Sequence, residues 1–165
     1  MKFLMIPVLA VAAAFAPAPA TAPAPPAVAS SPYMCQSVNN VYSSGEKLKY
    51  KIYYNWKAVW LSAGELVFKV TDSQLKNKPV YHIVAAGQTY KSYEWFYKVR
   101  DKYESYVDKQ TLKPVRFARD VNEGGYIIKD QYDFDHPNQV VLTQDFKNQE
   151  KGKFDIPSCV HDAVS

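Results

Sequence analysis

The stretch Glu46–Trp56 reads EKLKYKIYYNW, and its alternation sets the fold class. Leu48, Tyr50, Ile52 and Tyr54 interleave with Lys47, Lys49 and Lys51. Successive side chains of a strand point to opposite faces, so this period of two describes one dry and one wet side. The pattern recurs downstream. ELVFKVTD puts Leu66, Phe68 and Val70 on one face, and PVYHIVAAGQTY does the same with Tyr81, Ile83 and Ala85 after a turn at Asn77–Lys78. EWFYKVRDKYESYVD reads as a long aromatic strand and KPVRFARDV as the next. Gly124-Gly125 is a hairpin signal before YIIKDQYDFD, and HPNQ is a turn before VVLTQDF. About seven strands result, with no amphipathic helix between them. Short connections favour antiparallel neighbours. The expected fold is therefore mainly β, an up-and-down antiparallel meander that twists and curls into an open or partial barrel.

The ends of the chain bear on location. MKFLMIPVLAVAAAFAPAPA has an early lysine, an apolar run from Phe3 to Ala16 and small residues after it, the layout of a signal peptide. The run is short for a membrane span, which needs about 20 apolar residues. Cleavage after Ala20 and cleavage after Ala29 both satisfy a small-x-small pattern. The expected organisation is a signal peptide over 1–20, an Ala/Pro-rich flexible leader over 21–40 and a β domain over 41–165. That implies export to the periplasm or cell envelope with no transmembrane span in the mature chain. In an oxidising compartment Cys35 and Cys159 are a candidate disulfide, the alternative being two thiols that never meet. The chain stops at IPSCVHDAVS, where Asp162 reads as a helix N-cap. The expectation is an N-terminal part of a longer domain.

The formal charge is +4, from 20 basic and 16 acidic residues. The lysines alternate with hydrophobics instead of forming a run, which makes a solvated face and no nucleic-acid footprint. Phosphate-binding loops, zinc spacings and the G-x-S-x-G of a serine hydrolase do not occur, so neither cofactor nor metal is expected and no catalytic residue is assigned.

Three stretches taken together, GEKLKYKIYYNWKAVWLSAGE, YEWFYKVRDKYESYVDKQTLKPVRFARDVNEGG and PSCVHDAVS, resemble the domain-of-unknown-function family 3108 of exported bacterial proteins, particularly of Bacteroidetes type. The resemblance runs from about Val41 to the last residue. It implies an envelope location and a mainly β fold, and no chemistry.

Plain packing competes with each candidate site. The aromatics of YYNWKAVW (Tyr53–Trp60) are expected to lie mostly inside the sheet, since buried aromatic pairs are commoner than exposed binding platforms. Ala63-Gly64 is expected to let the backbone turn or approach a neighbour closely. A binding reading instead takes Tyr54, Trp56, Trp60, Trp95 and Arg119 as contacts for a hydrophobic or amphipathic ligand, with Arg119 facing inward toward an anionic head group. Arg100 or Arg119 is expected to meet Asp120 or Asp101 across the ladder, as ordinary cross-strand ion pairs. Asp133 and Asp135 share a strand face and could support acid–base chemistry only if they faced inward with raised pKa values. The leading expectation is a non-enzymatic envelope protein holding such a ligand in a curved sheet, its partner a small molecule or an envelope protein. The alternative is a structural or protein-interaction module.

Overall fold

The computed structural model describes residues 42–56 and 59–165, Trp56 by its backbone. The signal peptide, the leader and Cys35 lie outside the described residues. So, therefore, does the Cys35–Cys159 pairing. Eight strands follow one another: β1 (Lys47–Trp56), β2 (Val59–Leu75), β3 (Lys78–Thr89), β4 (Val99–Asp108), β5 (Pro114–Glu123), β6 (Tyr126–Asp135), β7 (Val140–Asp145) and β8 (Glu150–Asp155). They form a single antiparallel sheet in sequence order, with β1 and β8 as its edges. No helix among the described residues is long and apolar enough to cross a membrane.

The turns have the chemistry that tight hairpins need. Lys76 and Asn77 both adopt positive φ between β2 and β3, as do Gly124 and Gly125 between β5 and β6. Two central residues at φ > 0 match the right-handed twist of the flanking strands. Three boundaries differ from the sequence reading. The eighth strand, EKGKFD, hides its alternation behind charges and Gly152, although Phe154 pairs with Val141 as an apolar strand residue should. Strand β2 starts at Val59, six residues before the ELVFKVTD stretch. Trp95 and Phe96 precede β4, in a connection opened by a short 3-10 turn over Lys91–Tyr93.

The expectation that the YYNWKAVW aromatics lie mostly inside the sheet is overturned: Tyr54 is 62% exposed, and Trp60, near the turn, is 68% exposed. The reason is a missing neighbour. Strand β3 ends at Thr89, which pairs with Gly64. Beyond that point β1 and β2 continue alone, from Tyr53↔Ser62 to Trp56↔Val59. The register shifts at Ile52/Tyr53, where Ala63 is inserted on the β2 side. Such a bulge bends the ribbon, and two strands without a third cannot bury an aromatic.

The core lies at the opposite end of the sheet. Val70, Ile83, Val107 and Leu112 are buried together, with Tyr42, Tyr81 and Val164 packed against them. The C-terminal segment is thereby drawn across one face. Ser105, fully buried, donates its hydroxyl to Asp162 Oδ2 at 2.5 Å. Asp162 Oδ1 in turn accepts from the backbone N–H groups of Val164 and Ser165, both at 2.8 Å. These bonds form a local turn at Asp162, and no helix follows it among the described residues.

Candidate binding face

The register assigns every strand residue to one of two faces. Starting from Leu48, one row runs through Phe68, Ala85, Tyr103, Arg119, Asp130, Asp145 and Glu150. The next row toward the core carries Val70, Ile83, Ser105, Phe117, Tyr132, Thr143 and Gly152. This is the apolar face. The other face carries the β1 lysines, with Glu65, Lys102, Glu104, Arg116, Asp120, Lys129 and Asp133. Val164 covers the apolar face over the core cluster, whereas Leu48, Tyr50 and Ile52 at one margin and Phe154 at the other are exposed.

Between those margins sits a polar island. Arg119 donates from Nε to Asp130 Oδ1 at 2.8 Å and from Nη2 to Asp130 Oδ2 at 2.7 Å, a bidentate pair. Tyr132 donates its hydroxyl to Asp130 Oδ2 at 3.2 Å. Fork-to-fork geometry of this kind is among the stronger charge-assisted contacts. The hydrogen bonds to Asp130 hold the Arg119 guanidinium even more firmly protonated than usual, against the opposing effect of burial. Burial, then the charge of Asp101, raises the Tyr103 phenol. Burial, then the charge of Asp130, raises Tyr132. Both phenols are therefore neutral donors near pH 7. Tyr103 and Tyr132 flank Phe117, with ring centroids 6.3 Å and 5.8 Å from it. Beside the island a groove of about 300 Å³ runs along β6–β8, lined by Asp130, Tyr132, Thr143, Asp145, Glu150 and Phe154 among others.

Glu123 and Asp101 close the island on its outer side. The Asp101 charge raises the Glu123 carboxyl, and partial burial and a hydrogen bond between the two add to the effect. A raised folded pKa means that the folded state binds more protons between the unfolded and folded values, so this contribution is present at low pH and lost as pH rises through the folded pKa. Asp133 behaves oppositely. Burial works to raise it, but hydrogen bonds from Arg116 and Gln131 outweigh that and lower it. Its contribution is present above the unfolded pKa and lost as pH falls through the folded one. In urea titrations across the acid range, Glu123→Gln should remove the alkaline-side decline and Asp133→Asn the acid-side decline. The reverse assignment would show that the pairs are not formed in solution.

The proposed ligand contacts fall in two places. Tyr54, Trp60 and Trp95 are exposed at the end of the sheet away from the core, and Trp56 ends β1 there, its side chain outside the description. Arg119 lies in the polar island. It lies on the apolar face, and its charge is already matched by Asp130. The expected partners of the two arginines are corrected. Arg119 meets Asp130, and Arg100 meets Glu94, while Asp120 pairs with Lys129. The Gly124-Gly125 turn could have identified the first pair. A two-residue hairpin sets Glu123 opposite Tyr126, and counting back brings Arg119 to Asp130. Asp133 and Asp135 lie on the other face with lowered pKa values, Asp135 through hydrogen bonds from Asn138, so the carboxylate-dyad requirement is not met there. No group of His, Cys, Asp and Glu among the described residues is arranged to hold a metal ion.

With this sheet and face in place, the chain was compared with known proteins. It matches the family described as Protein of unknown function (DUF3108) over residues 49–165. The chain belongs to the DUF3108 family. Comparison with curated proteins and with solved structures finds no significant match. For this DUF3108 chain the matched span starts in β1 and includes the apolar face, the polar island and the C-terminal segment across the core.

Proposed function

We propose that the protein is an exported, non-enzymatic module of the bacterial envelope that holds an apolar or amphipathic ligand against its apolar sheet face. The observation carrying this reading is the uncovered strip Leu48–Tyr50–Ile52, which leads into the island of Tyr103, Arg119, Asp130 and Tyr132. Contiguous exposed apolar surface beside a few convergent polar groups is the chemistry of an amphipathic site. Because Asp130 occupies Arg119, the head group that fits is neutral and accepts a hydrogen bond from the Tyr103 phenol, the Tyr132 hydroxyl being given to Asp130; an anionic head would have to displace a carboxylate. The signal-like residues 1–20 motivate export. The candidate Cys35–Cys159 bridge belongs to the same reading and would stabilise by about 4–5 kcal/mol in the chain-entropy model, less any strain.

The test is native mass spectrometry of protein exported and purified without detergent, before and after solvent denaturation. An additional mass released on denaturation, and absent from an Ile52→Asp variant, is the expected result. A bare polypeptide mass in repeated preparations would overturn the carrier reading. A protein co-purifying through the same face would favour the interaction module, for which the exposed apolar strip on edge strand β1 speaks. The same spectra report leader cleavage and the disulfide.

A further inference from the structure

The connections at the end of the sheet away from the core form a continuous aromatic rim. The β1–β2 ribbon exposes Tyr53, Tyr54, Val59 and Trp60, and Tyr90 N–H donates to Ala63 O at 3.0 Å to join it to the β3–β4 connection. That connection exposes Trp95 (83%), Phe96 (79%) and Tyr97. It is also firmly built. Arg100 Nη1 donates to Thr89 O at 3.0 Å, Arg100 Nη2 pairs with Glu94, and Val99 N–H donates to Thr89 Oγ1 at 3.1 Å. Tyr97 lies directly over Gly124, where an added Cβ would come within 2.5 Å of its ring, and Gly124 N–H donates to Lys98 O at 2.8 Å. The β5–β6 hairpin is thus docked on the same rim and adds exposed Tyr126 and Ile127. Lys147 of the β7–β8 turn closes the series, its Nζ 5.7 Å from the centroid of the Tyr126 ring, beside exposed Phe146. All three tryptophans of the chain, Trp56, Trp60 and Trp95, belong to this end.

The charges of the β3–β4 connection point one way. Glu94, the carboxylate of that connection, is held by Arg100. Lys91 and Lys98 are exposed and make no ion pair among the described residues. In the β3–β4 connection, therefore, the carboxylate is matched and the two lysines face outward beside Trp95 and Phe96.

We propose that this rim docks the protein on the surface of an anionic phospholipid bilayer, with Trp60, Trp95 and Phe96 entering the interfacial layer and Lys91 and Lys98 meeting headgroup phosphates. Trp, Tyr and Phe with flanking Lys match the headgroup boundary, where one end of the ring is apolar and the other wet. Cationic side chains add attraction to anionic lipid. The shape also selects a fluid partner. Aromatics carried on separate turns can each sink independently into a bilayer.

The experiment is flotation of the purified chain with phosphatidylethanolamine vesicles, with and without phosphatidylglycerol, alongside tryptophan emission and quenching by brominated acyl chains. Partition that rises with phosphatidylglycerol, with blue-shifted and quenched emission, is expected. Trp95→Ser with Phe96→Ser should weaken partition by about tenfold or more, since full burial of either ring exceeds the 1.4 kcal/mol that tenfold represents. Lys91→Glu with Lys98→Glu should abolish the phosphatidylglycerol dependence. Leu142→Ser, exposed in β7 on the lysine-bearing face, serves as the fold-matched control and should partition normally. Unchanged far-UV spectra separate lost docking from lost folding, because Trp95 and Phe96 lie outside the core. No partition, partition indifferent to phosphatidylglycerol, or partition surviving the Trp95/Phe96 change overturns the proposal. None of these outcomes bears on the ligand of the apolar face.

Discussion

Asp130→Ala lowers the unfolding free energy by about 2–3 kcal/mol, read as a fall in urea midpoint at unchanged slope. The side chain of Asp130 is 10% exposed and that of Arg119 is 33% exposed, so the pair is partly, not wholly, withdrawn from water. Removing one member of a fully buried pair costs roughly 3–5 kcal/mol, because the remaining charge is left uncompensated. The partial exposure of Arg119 places this case below that range. The loss also frees the Tyr132 hydroxyl from its carboxylate acceptor. Replacing both members, Arg119→Met with Asp130→Leu, should recover most of the stability, since the neighbours on that face include Tyr103, Phe117 and Tyr132. The double variant therefore separates two ideas. If it is stable yet loses a bound ligand, the island exists for recognition. A cost below about 0.5 kcal/mol for Asp130→Ala would show a pair solvated like an ordinary surface one, and the face would not be the dry site inferred above.

Gly64→Ala costs about 3 kcal/mol, while Gly87→Ala on the neighbouring strand is close to neutral. A Cβ on Gly64 would lie 2.4 Å from the carbonyl oxygen of Gln88 and 3.2 Å from its carbon. Both are backbone atoms in a paired strand and cannot swing aside. At Gly87 the nearest atom to an added Cβ is Leu66 Cδ1 at 3.8 Å, an ordinary contact. The strain at Gly64 can be relieved only by parting β2 from β3 beside the inserted Ala63. Paired thermal denaturation of the two variants checks the contrast. Equal effects would mean that the bulge is not where the register puts it.

The alternation in Glu46–Trp56 was enough to recognise β1 and its dry side, because that strand has one face in water. The same alternation misjudged Tyr54. Parity says which side a residue takes, and it is silent on whether a third strand lies alongside. Gly64 was legible as a close approach, and Gly124-Gly125 as a turn with a definite register. The Arg119–Asp130 pair follows from that turn by counting, whereas the expected Arg100–Asp120 contact depended on β4–β5, whose longer connection and shift at Tyr106/Val107 leave register unspecified by sequence. The rim was out of reach for another reason. Trp60, Trp95, Tyr126 and Lys147 stand far apart in the chain, and only the alternating direction of eight strands gathers them.

That strict sequence order has a consequence for how the protein comes apart. Each strand is bonded only to its chain neighbours, so the sheet resembles a row of hinged slats more than a sealed shell. Hairpins can close one after another with little loop entropy to overcome. Opening should begin at the β8 margin, where six residue pairs join it to β7, against twelve between β2 and β3. Yet β8 is no loose tail. The segment after it returns to the core through Asp162 and Val164, so β8 opens as a flap hinged at both ends, exposing the groove at Tyr132 and Phe154 while the slats behind it stay shut.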